Sequence, residues 1–182
     1  MATEIHDFAE SLALSQAQAD ASWWIEIYRS AFPDLASAVN VRNDGWAQRG
    51  GIDRVLTLES GKTLTVDEKV RAEDWPDILL EVWSNRERRV PGWAAKDLAC
   101  DYIAYAFIPS ATCYLLPFQT LRAAYRKNGR TWWACAKIRE KGFRVVEAAN
   151  RDYTTVSIAV PTDKILAALS DAMIVRWGAA AA

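Results

Sequence analysis

The chain has one histidine, His6, among 182 residues. That scarcity argues against a histidine general base and against a histidine-rich metal centre. Cysteine is also sparse. Cys100, Cys113 and Cys135 are odd in number and form no C-x-x-C pair, so neither a zinc site nor a disulfide framework is indicated. Buried free thiols in a reducing cytoplasm are the expectation. No stretch approaches the run of about 20 apolar residues needed to cross a bilayer. The start, "MATEIHDFAE", carries acids and lacks a basic segment followed by an apolar block, so it does not read as a secretory leader. Long Pro/Ser/Gly linkers and internal repeats are absent, which makes residues 1–182 one expected domain, with mobile ends at 1–12 and 178–182. A cytoplasmic protein without membrane attachment is the expected setting.

What is present is an ordinary globular composition, 51% hydrophobic and 25% charged, with a net charge of −1. The charge is unevenly spread. Residues 1–85 hold 7 basic and 15 acidic side chains, whereas residues 86–182 hold 15 and 8. An acidic half suits a cation and a basic half suits phosphates.

The densest chemical signal is "GGIDRVLTLESGKTLTVDEKVR" (residues 50–71). Residues 52–58 are rich in β-formers, Glu59-Ser60-Gly61-Lys62 supplies a turn, and residues 63–70 alternate. On the second strand Leu64, Val66, Glu68 and Val70 share one face, and Thr65, Asp67, Lys69 and Arg71 the other. Asp67 and Lys69 therefore point the same way, about 7 Å apart along the strand, and the hairpin can return Asp53 beside them. Two adjacent carboxylates repel unless a cation neutralises them. Hard oxygen ligands suit Mg²⁺ or Mn²⁺, which keep several waters and accept phosphate oxygen. A neighbouring lysine can orient water or stabilise negative charge. The arrangement suits phosphodiester hydrolysis.

These residues resemble the PD-(D/E)xK, or restriction-endonuclease-like, nuclease superfamily. Asp53 matches the first acid, and Asp67 and Lys69 match the (D/E)xK pair with Glu68 between them. Ile52 stands where the family pattern has proline. The resemblance implies an α/β fold with a central mixed β-sheet flanked by helices, a restriction-endonuclease-like core, a bound Mg²⁺ or Mn²⁺, and cleavage of nucleic acid, with DNA the expected substrate. It also implies a bacterial, phage or mobile-element context. Members of the superfamily often place an extra acid on an N-terminal helix near the metal. Asp20 is the candidate here, with a helix N-cap as its alternative role.

The rest of the chain supplies further candidates. The first dozen residues form an expected helix with Ile5, Phe8 and Leu12 inward. A second runs from Gln16 to Ala31, before Pro33, with Trp23, Trp24, Ile27 and Tyr28 as its apolar stripe. Residues 33–51 read as loop, in which Gln48 can hydrogen-bond near the site and Gly50-Gly51 serve a turn or a close approach of nucleic acid. Ile78–Trp83 reads as a third strand, interrupted by Glu81. A carboxylate there needs a metal or a hydrogen-bond partner, which makes Glu81 a secondary metal candidate. Arg86, Arg88 and Arg89 lie in a basic loop suited to backbone phosphates. Residues 92–108 read as a four-turn helix carrying Lys96, another phosphate candidate. Residues 112–118 read as a short strand, followed by a helix that Gly129 ends. That helix bears Arg122, Arg126 and Lys127, with Arg130 and Trp132-Trp133 next. Basic residues interleaved with aromatics can hold a strand by phosphate contact and base stacking. Two more strands and a closing helix over 162–173, capped by Thr162, complete the order.

Two other chemistries fail. Gly61-Lys62-Thr63 lacks the first glycine of a phosphate-binding loop, Leu56 standing in its place, and a strand follows it where a helix is required. Serine or cysteine hydrolysis lacks a histidine partner and a G-x-S-x-G elbow. The remaining rival is a catalytically inactive module of the same scaffold that binds nucleic acid or a protein partner. The sequence leaves oligomeric state open.

Overall fold

The computed structural model describes residues 17–178. The expected first helix, His6, and residues 179–182 of the tail lie outside them. The described chain forms two compact units: one takes residues 17–74, 98–118 and 171–178, and the other takes 75–97 and 119–170. Each carries its own sheet with helices, so the architecture is α/β and includes a mixed sheet.

The first unit is built on six strands: β1 (Leu35–Asn40), β2 (Arg54–Leu58), β3 (Thr63–Arg71), β6 (Tyr102–Phe107), β7 (Thr112–Pro117) and β10 (Met173–Arg176), in the order β1-β2-β3-β6-β7-β10. All neighbours are antiparallel except β3 and β6. The β2–β3 hairpin follows from the alternating pattern and from Gly61, whose φ of 81° only glycine adopts freely. Leu56, Leu64, Val66 and Val70 turn to one face and pack with Trp24, Ile27 and Tyr28 of helix α1 (Trp23–Ala31). Each such apolar side chain contributes about 1.5–3 kcal/mol on burial.

Helix α1 is shorter than the expected 16–31 span. Asp20 is not its cap; the cap position falls to Ser22, which makes no side-chain capping bond among the described residues, while Asp20 Oδ1 accepts from Asn40 Nδ2 at 2.8 Å. Residues 33–51, expected as loop, contain β1 and a short helix α2 (Gly45–Gly50). Asp44 caps α2 by accepting the Trp46 and Ala47 N–H groups, and Gly51 ends it at φ 66°. A Cβ at Gly51 would stand 2.9 Å from Leu98, so the glycine serves the turn.

Residues 93–101 hold no α-helix, and β6 occupies the second half of the expected four-turn helix. Asp101 explains the change. Its N–H donates to the Thr65 carbonyl at 2.8 Å, and its carboxylate accepts the Thr65 N–H and hydroxyl at 2.7 and 3.0 Å. These bonds start β6 parallel to β3, with Asp67 opposite Ile103 and Lys69 opposite Tyr105. The run YIAYAF is then buried on both faces, as a central strand requires.

The second unit carries an antiparallel sheet in the order β5-β4-β9-β8, from β4 (Asp77–Asn85), β5 (Val90–Pro91), β8 (Arg144–Ala149) and β9 (Thr154–Pro161). The expected strand 78–83 thus exists, but it pairs with β9 and β5 and does not extend the motif hairpin's sheet. Ile78, Leu80, Ile158, Val160 and Ile165 are fully buried here. Helix α3 (Phe118–Lys137) runs through Gly129, which was expected to stop it. The glycine leaves room for the Tyr125 ring, which lies 3.2 Å from where a Cβ would stand. Helix α4 (Thr162–Ala168) is shorter than expected. Pro161 holds its cap position without a side-chain bond, so Thr162 is not the cap, and Met173 onward becomes β10 of the other sheet. No helix among the described residues is long and apolar enough to cross a membrane.

Candidate functional site

Asp53 immediately precedes β2, and its backbone is tied on both sides. Its N–H donates to the Val66 carbonyl at 2.8 Å, and its carbonyl accepts the Val41 N–H at 2.9 Å. The carboxylate is fixed as well: Oδ2 accepts the Glu68 N–H at 2.8 Å and meets Arg42 Nη2 at 3.3 Å. Asp67, on the adjoining strand, points to the same side as Lys69, whose Nζ donates to Asp67 Oδ1 at 2.6 Å. The Asp67 side chain is almost fully buried, whereas Lys69 is 32% exposed and Asp53 21%.

The acids act on each other. Burial is the main reason that the Asp67 carboxyl is raised to about 6; Lys69 opposes the shift, while the Asp53 charge and hydrogen bonding with Asp53 reinforce it. The hairpin therefore brings Asp53, Asp67 and Lys69 to one place. Cys100 adjoins them. Burial pushes its thiol up to about 12, and the Asp67 charge adds to that. It stays a protonated thiol rather than a thiolate ligand.

Glu68 occupies the opposite face of β3, among Leu64, Val66 and Val70. Its side chain is fully buried and neutralised. Oε1 accepts from Tyr28 Oη at 2.7 Å and Arg54 Nε at 2.6 Å, and Oε2 from Arg42 Nη2 at 3.0 Å. Arg54 Nη2 also donates to the Ala19 carbonyl at 2.7 Å. Burial and Glu68 together hold the Tyr28 hydroxyl well above its usual range. One nitrogen of Arg42 thus lies within reach of both Glu68 and Asp53, joining the buried cluster to the site. Sequence reading missed Arg42, Arg54 and Tyr28. The available signal was Glu68 itself, an acid on an apolar face that had to find partners.

The other candidates are dispersed. Asp20 bonds Asn40, and Gln48 Nε2 donates to the Arg42 carbonyl, bracing the segment that presents Arg42. Glu81, Arg86, Arg88, Arg89, Lys96, Arg126 and Lys127 all belong to the second unit. Glu81 accepts the Trp93 N–H at 3.2 Å. Arg86 pairs with Glu147 at 2.7 Å, while Arg88, Arg89, Arg126 and Lys127 are exposed. Lys96 is half-buried.

Among the described residues no group of three or more His, Cys, Asp and Glu side chains is placed to hold a metal. Two carboxylates are what the corner offers. That donor set fits Mg²⁺, which keeps much of its water and is held by one or two carboxylates together with substrate phosphate. No family model, curated protein or solved structure matches the chain.

Proposed function

We propose that the chain is a Mg²⁺- or Mn²⁺-dependent nuclease of the PD-(D/E)xK type, hydrolysing phosphodiester bonds of nucleic acid, with DNA the expected substrate. One observation carries the reading: Asp53 and Asp67 approach closely enough to perturb one another, with Lys69 Nζ 2.6 Å from Asp67. In this reading Asp53 and Asp67 hold the ion. When bound, the ion supplies Lewis acidity toward a phosphoryl oxygen and lowers the pKa of its water. Lys69 orients the attacking water and stabilises charge developing on the phosphate. Arg42 and the Glu68 N–H keep the Asp53 carboxylate aimed. The mixed sheet supports a restriction-endonuclease-like core; β4, which pairs elsewhere, departs from the order that resemblance implies.

The inactive binding module has an observation of its own. Arg42 and Lys69 each already pair with one of the two acids. The experiment that decides is incubation with linear and circular DNA, single- and double-stranded, in Mn²⁺ or EDTA. A nuclease cuts in Mn²⁺ alone, and Asp67→Ala, folded by circular dichroism, does not cut. Full activity in that variant refutes the assignment. Binding of DNA that ignores metal, without any nick, establishes the rival.

A further inference from the structure

The second unit contains a cleft of about 460 Å³ that the hydrolytic reading does not use. One wall is helix α3. Arg122, Arg126 and Arg130 recur every fourth residue and so line one stripe of it; Tyr125, Gly129 and Trp133 form a second stripe alongside. The opposite wall is Val82 and Trp83 of β4 with Ala94 and Ala95. At Gly129 the Tyr125 ring lies 3.2 Å from where a Cβ would stand, so the missing side chain makes room for the ring within the lining.

The charges are unevenly committed. Arg122 is engaged by Asp97, and its buried Nε has no hydrogen-bond partner among the described residues. Arg126 and Arg130 are exposed and have no ion-pair partner among the described residues. They stand one helical turn apart, about 6 Å along the axis. Lys137 Nζ lies 5.7 Å from the centre of the Trp133 ring, adding positive charge beside the aromatic wall.

We infer that this cleft binds single-stranded nucleic acid, with Arg126 and Arg130 on successive phosphates and an unpaired base against Trp133. The chemistry selects the occupant. Guanidinium groups without internal partners suit phosphate, and two of them on consecutive turns suit a chain of phosphates better than a lone one. Aromatic faces in a cleft are of use only to bases that are not paired and stacked inside a duplex. The site needs neither Asp53 nor Asp67, so it stands or falls apart from the hydrolytic reading.

The test uses the full chain carrying Asp67→Ala, in EDTA, with a short fluorescein-labelled oligo(dT) read by anisotropy. The expected result is saturable binding that weakens steeply with salt and quenches tryptophan fluorescence. A duplex of equal length should bind at least ten-fold more weakly, and dTMP should not compete. Arg126→Glu with Arg130→Glu should weaken binding ten-fold or more and flatten the salt dependence. Trp133→Ala should weaken it about five- to one-hundred-fold, the loss of one stacked base. Because Trp133 is partly packed, the arginine pair, on an exposed face, carries the test if that variant unfolds. The charge reversal Arg151→Glu, Lys164→Glu, at exposed cations of the same unit that do not line the cleft, serves as control and should leave affinity within two-fold. Unchanged affinity in the Arg126/Arg130 double variant, preference for duplex, or no binding overturns the inference. A protein that cuts DNA in Mn²⁺ yet does not hold the oligomer overturns it while leaving the nuclease reading intact; oligomer binding without cleavage does the reverse.

Discussion

The two faces of strand β3 treat neighbouring acids in opposite ways. Glu68 is the more deeply buried, yet two arginines and a tyrosine hydroxyl satisfy it. Asp67 has one lysine, a second acid nearby, and a carboxyl pushed up to about 6. Burial alone therefore does not mark a reactive group. What distinguishes Asp67 is incomplete compensation: its environment still favours a further positive charge, whereas that of Glu68 is complete. One residue of translation along a strand separates a fully compensated acid from an incompletely compensated one.

The contrast can be broken first on the Asp67 face. Asp67→Ala or Asp53→Ala should lower metal-dependent cleavage by more than about 10³-fold, because several kcal/mol of charge stabilisation leave with the ion. Thermal melting of both variants should remain cooperative. On the other face, Glu68→Ala strands Arg54 and Arg42 and should destabilise by about 3–5 kcal/mol in urea unfolding, with activity lost only in proportion to unfolding. Equal stability in Glu68→Ala and wild type would erase the comparison.

A finer probe is pH. A carboxyl raised from 3.8 to about 6 binds its proton more tightly folded than unfolded, so its effect on stability is neutral below about 4 and unfavourable above about 6. Asp67→Asn should therefore gain stability over wild type as pH rises through that window, by an upper limit of about 3 kcal/mol at neutral pH. Urea midpoints at pH 4 and 7.5 measure it, and a gain equal at both values removes Asp67 as its source. The smallest effect is that of the ion itself. Mg²⁺ a few-fold above its dissociation constant should stabilise wild type by about 1 kcal/mol, raising the melting temperature by about 2–4 °C. Asp67→Asn should show no such rise.

The hairpin was legible because alternation and a glycine turn are local signals, and so was the convergence of Asp53, Asp67 and Lys69. Strand β6 was not. Alanines and a leucine before it suggest helix, and a short apolar run does not reveal its period; the deciding contact is Asp101 on Thr65, thirty-six residues away in sequence. Nor did any pattern indicate that β4 would desert the hairpin's sheet for β9, since partner choice is set by packing between distant segments. Arg42 was hidden for a similar reason: its role depends on a loop fold that Asp44 and Gln48 fix. The α3 helix shows the converse: a local stop signal, Gly129, sits mid-helix and the helix runs on to Lys137, the glycine's weak propensity being overridden by its context.

The path of the chain has a consequence for its manufacture. Beside β7 stands β10, which emerges from the ribosome only after the whole second unit has been synthesised. The hairpin bearing the paired acids is thus translated early, while the sheet that rigidifies it is finished late. No single cut releases either half whole, and a polypeptide stalled before Met173 presents β7 as an open edge, ready to pair with a stranger.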